Sequence, residues 1–174
     1  VGVAEAENTP AVYPCLIDAP TTFIENKPQI SPIEGNFCLG SCQANGWQAQ
    51  LRAVLELAED YSFEKLVFRA LEIDIVHPDT PTGRLGTKSV SAREQDPRNN
   101  LRPSFSQVDL SMNRLYPNST NVNTVSLRTL IMPPGYQICR FFFSYETKDR
   151  QRLDREMITT SFAETAKRYP HILR

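Results

Sequence analysis

Residues 136–145 constrain this chain more than any other stretch. Successive side chains of a strand point to opposite faces, so Cys139, Phe141, Phe143 and Tyr145 share one side while Ile138 and Phe142 share the other. Both sides are largely apolar. Such a strand needs cover above and below, which predicts a central position in its sheet. Just upstream, Pro134 and Gly135 suit the middle of a type II turn, and Val125, Leu127 and Ile131 mark an earlier strand, so a hairpin is expected.

Other segments show equally local periods. Leu71, Ile73 and Ile75 alternate with Glu72 and Asp74, and Val108, Leu110 and Met112 alternate with Asp109 and Ser111, each marking a half-buried strand. From Trp47 to Tyr61 two periods compete. Leu51, Val54, Leu55 and Ala58 have helical spacing, while Trp47, Ala49, Leu51, Ala53, Leu55 and Leu57 alternate. Helix is preferred, because Gln, Ala, Leu, Arg and Glu dominate and β-branched residues are nearly absent. Gly40 and Gly46 read as a turn ahead of it. A last helix is expected over 149–168, with Leu153, Met157, Phe162 and Ala166 as its stripe and Pro170 as its stop.

Together these elements predict an α+β fold: an antiparallel sheet of at least four strands, two helices and a proline-rich N-terminal arm. The alternative, if residues 47–60 form a strand, is an all-β sandwich with a C-terminal helix. Five of the 13 prolines (Pro10, Pro14, Pro20, Pro28, Pro32) lie in residues 1–34, which are expected to run extended over the body through Val12-Tyr13, Leu16-Ile17 and Phe23-Ile24. Residues 35–174 form the expected single domain, a size that buries a core unaided. Within it, residues 77–104 carry no apolar period and read as a long loop.

Charge and cysteine content narrow the function. A net charge of −1 does not suit a surface built on nucleic-acid phosphates, and no run approaches the roughly 18 apolar residues of a membrane span. Residues 1–35 carry one lysine against five acids, whereas 148–174 carry seven basic residues against four acids. This mild asymmetry reads as solvated surface. The four cysteines, Cys15, Cys38, Cys42 and Cys139, form an even set and are expected to pair as two disulfides. With only His77 and His171 to join them, and no C-x-x-C pair, neither zinc nor any cofactor is expected. The absent initiator Met, the even cysteines and the Asn118-Ser119-Thr120 acceptor pattern favour a secreted or periplasmic protein whose leader has been removed.

Four constellations bear on chemistry. Gly40-Ser41-Cys42, leading into a helix, is the sharpest nucleophile candidate, since a helix N-terminus lowers a thiol pKa. The tripeptide resembles a fragment of the papain-like protease signature, but Gln43 stands where that family has an aromatic residue, and His77 and His171 have no matching context. No family membership follows. Glu72, Asp74 and Asp79 offer carboxylates for a hard divalent ion, in a pattern that, with Glu146-Thr147-Lys148, resembles the acidic-plus-lysine set of metal-dependent nucleases. His77 ends a strand where a general base can stand. The basic loop, with Arg84, Lys88 and Arg93, suits an acidic partner, either a protein or an acidic carbohydrate, and Trp47 serves as a stacking platform or a core anchor.

The reading placed first is an exported binding module that uses His77, Arg84, Lys88, Arg93 and Trp47. The alternatives are a small hydrolase, working through Cys42 or a metal at Glu72, Asp74 and Asp79, and a structural assembly subunit.

Overall fold

A computed structural model describes residues 13–25, 42–78, 102–103, 121–129 and 136–171. Two helices pack on one face of a mixed sheet. Helix α1 spans Cys42–Asp60 and α2 spans Arg155–Arg168. Strands β1 (Phe63–Pro78), β3 (Asn121–Thr129) and β4 (Tyr136–Thr147) form the body of the sheet, with the two-residue β2 (Arg102–Pro103) beside β3. The order is β2-β3-β1-β4.

α1 forms where helical spacing was preferred over strand alternation, which excludes the sandwich. Trp47, Leu51, Val54, Leu55 and Ala58 enter one core with Leu66, Phe68, Leu71, Ile73 and Ile75 of β1. On β1 the core-facing positions are even at Leu66 and Phe68 and odd from Leu71 onward. A register shift between Phe68 and Ala70 takes up the extra residue, as a β-bulge does, and keeps both apolar runs on the same side. Aromatic rings carry the core toward the start of β1: Phe63 stacks on Tyr145 at 4.8 Å, and Phe68 meets Phe143 at 6.3 Å between centroids.

Gly46, expected in a turn, lies inside α1. Its missing side chain leaves room for the Gln137 carboxamide, whose Nε2 donates to the carbonyl of Gln43 at 3.4 Å. At the other end of α1, Ser62 takes a left-handed conformation (φ 49°) and turns the chain directly into β1.

Sheet topology departs from expectation in two ways. First, β3 pairs with β1 in parallel, with Asp74 beside Val125, so the sheet is mixed rather than antiparallel. A parallel pair requires a long connection, and residues 79–120 supply its length. Second, β3 and β4 do not form a hairpin; they flank β1 on opposite sides. The central strand is therefore β1. Among the described residues β4 lies at the sheet edge, and its doubly apolar pattern marks a face that the helices do not cover. The strand expected around 108–112 lies outside the described residues.

Residues 13–25 contribute Tyr13, Leu16, Phe23 and Ile24 to the same core. Phe23 to Glu25 runs beside the first half of β1, where Leu66 N donates to Phe23 O at 2.9 Å and Glu25 N donates to Leu66 O at 3.3 Å. α2 starts later than expected, at an N-cap where Asp154 accepts from Met157 N at 2.8 Å. Its buried positions are Ser161 and Thr165 rather than Phe162, which is 37% exposed. Short side chains let α2 approach α1, and the Ser161 hydroxyl donates to Asp60 Oδ2 at 2.7 Å.

Candidate functional site

Cys42 is the first residue of α1. The opening N–H groups of a helix have no intrahelical acceptor, and its dipole places partial positive charge there. No acidic residue stands in the first turn to offset that charge. A 19-residue helix with buried flanks therefore presents its positive end at a cysteine. The Cys42 side chain lies outside the described set, as does all of Cys38.

The other two cysteines, Cys15 and Cys139, are half-buried free thiols. The two disulfides expected of the even cysteine set also involve Cys38 and the Cys42 side chain, which lie outside the described residues. Cys15 directs its Sγ toward Asn45 O at 4.0 Å, and desolvation pushes its pKa up against the opposing pull of Arg52. Desolvation alone pushes Cys139 up to about 12. Cys139 lines a cavity of about 330 Å³ with Val54 of α1, Phe141 of β4 and Phe162 of α2. A thiol held protonated in such a place is a poor nucleophile.

Beneath α1 lies a polar network that the sequence did not reveal. Arg52 and Glu56 sit one turn apart and both side chains are 4% exposed, with Nε to Oε1 at 2.6 Å. Arg52 also donates to Ile17 O at 2.7 Å and to Tyr169 Oη at 2.8 Å. Arg168 reaches the other Glu56 oxygen at 2.6 Å and Asp60 at 3.0 Å. Two chain segments, residues 13–25 and the end of α2, are thereby tied to α1. An arginine four residues before a glutamate was the available signal, but that spacing is also common on solvated helix faces. Gln48, fully buried on the same helix, has no hydrogen-bond partner among the described residues for either side-chain polar atom.

The carboxylates of the metal reading do share a strand face, but an arginine holds them. Arg140 Nη1 lies 2.7 Å from Asp74 Oδ2 and 4.0 Å from Glu72 Oε2. The hydrogen bond to Asp74, then its charge, raises the Arg140 pKa above its ordinary value. Among the described residues no group of three His, Cys, Asp or Glu side chains stands close enough to hold a metal ion. Asp79 lies outside them.

Of the binding residues, Trp47 is fully buried, so it is a core anchor and not a stacking platform. His77 is the β1 residue beside Arg128 of β3, with its side chain outside the described set. Arg84, Lys88 and Arg93 lie outside the described residues altogether. No helix among the described residues is long and apolar enough to cross a membrane.

No family model matches the chain, and no curated protein matches it. A crystal structure of aspartate semialdehyde dehydrogenase with NADP from Candida albicans is similar, with a TM-score of 0.50 and 16% sequence identity, over 94% of this chain and 48% of that one. The likeness is one of fold. This chain spans about half the length of that protein.

Proposed function

We propose that this chain is a unit of a thiol-dependent enzyme, with Cys42 as the nucleophile toward a carbonyl carbon. The observation that carries the reading is the position of Cys42 as first residue of α1, with no acid in the first turn. A thiolate there is favoured by the helix dipole and attacks the carbonyl carbon; the carbonyl electron pair moves to oxygen, and neighbouring N–H groups stabilise that oxyanion. The fold shared with an enzyme named for an aldehyde substrate agrees with carbonyl chemistry, although a fold by itself hosts many functions.

Iodoacetamide labelling at neutral pH, read cysteine by cysteine in a mass spectrometer, tests the reading. Cys42 is expected to react first, while Cys15 and Cys139 react only after unfolding. Cys42→Ser is expected to abolish hydrolysis of thioester substrates, in which the substrate thiol leaves and water releases the acyl group, and oxidation of aldehydes when NADP is supplied as the hydride acceptor, and to leave the urea midpoint in place. A native protein whose intact mass shows Cys42 bonded to Cys38 overturns the proposal. That result would instead support the exported binding module, whose recognition residues Arg84, Lys88 and Arg93 rest on sequence alone.

A further inference from the structure

Of the four large hydrophobic side chains exposed among the described residues, three lie on the sheet face turned away from the helices: Val125 is 55%, Tyr136 62% and Phe142 47% exposed. Their register confirms the shared face. Asp74 lies beside both Val125 and Ile138, Val76 beside Tyr136, and Ala70 beside Phe142. β4 is the edge strand among the described residues, the helices cover only its Cys139, Phe141, Phe143 and Tyr145 side, and its other side sets Tyr136, Ile138 and Phe142 among Arg140, Ser144 and Glu146. A strand of this composition implies cover on its second side as well.

Charge along this face is distributed end to end. Lys65 is already paired with Glu25 at 3.3 Å and stands beside Glu146. Arg69, nearer the middle, donates to the Ser144 hydroxyl at 3.1 Å and has no ion-pair partner among the described residues. Beyond Ala70, Arg140 spends its short contact on Asp74, which leaves Glu72 with a 4.0 Å contact only. An incompletely paired cation and an incompletely paired anion therefore flank the Ala70–Phe142 pair.

We infer that a second copy of this chain docks here, face to face, about a two-fold axis that lies between the sheets and crosses the strands above Ala70 and Phe142. That operation sets Phe142 against its counterpart and reverses β1, so Arg69 of each copy meets Glu72 of the other. The interface is isologous, and its charges are complementary only in this direction. Stacked sheets about 10 Å apart leave an arginine and a glutamate long enough to meet.

Sedimentation equilibrium on the full chain tests this. The parent is expected to be a dimer, Phe142→Glu a monomer, and Arg69→Glu and Glu72→Arg each about tenfold weaker in self-association. An equimolar mixture of the two charge variants is expected to regain the parental affinity, because both cross-contacts in the mixed pair again join opposite signs. Circular dichroism and urea midpoints close to the parent's establish that the variants fold. A parent that is monomeric at every concentration it tolerates, a dimer that survives all three substitutions, or a mixture that fails to recover overturns the inference.

Discussion

Arg52 shows how much one buried charge organises. Its guanidinium joins Glu56 on its own helix, the carbonyl of Ile17 and the hydroxyl of Tyr169, so three chain segments depend on one side chain. Arg52→Ala leaves the Ile17 carbonyl and one Glu56 oxygen short of a donor, and loss of one partner from a buried pair costs about 3 kcal/mol or more. Arg168 and Tyr169 still reach Glu56, which limits the loss. A urea titration is expected to show the midpoint falling by that free energy divided by the slope, with the slope itself unchanged. Cys139 gives a pH signature of the opposite kind. Its folded pKa of about 12 exceeds the ordinary 9.0, so above pH 9 the unfolded chain releases this proton while the folded chain keeps it. The stability present below pH 9 is thus lost as pH rises toward 12. Thermal melts across this range are expected to show the decline in the parent and a smaller one in Cys139→Ala.

At the scale of elements, β1 replaces β4 as the centre of the molecule. It pairs along its length with β4 and over Ala70–Pro78 with β3, while Phe23 to Glu25 supports its first half. Backbone groups bonded on both sides open only when the sheet does. Amide exchange is therefore expected to be slowest at Leu71 to Ile75 and faster at Phe141 to Phe143 under conditions that keep the chain monomeric. Equal protection in the two strands would mean that β4 has a second neighbour. The existence of both helices and both of these strands was legible, because each has its own period. The start of α2 was not, since Leu153 fits the helical stripe yet precedes the Asp154 cap.

At the scale of the whole molecule, the two proposals occupy opposite sides of the sheet. Cys42 opens the helix that covers one face, and the docking surface is the other face. Self-association through that second face also links stability to concentration, so the unfolding temperature is expected to rise as the protein is concentrated and to be constant for Phe142→Glu.

What the sequence determined by itself is local. The helical period from Trp47 to residue 60, the alternation at Leu71, Ile73 and Ile75, the largely apolar sides of β4 and a cysteine ahead of a helix all follow from backbone geometry acting between near neighbours. Strand order, the parallel pairing of β3, the burial of Arg52 and Glu56, and the side of β4 that the helices cover were decided only by tertiary structure. Those outcomes depend on contacts between residues far apart in sequence, such as Asp74 between Val125 and Ile138, and on which apolar surface finds a partner first. An apolar face tells that cover is needed, and packing decides whether the same chain provides it.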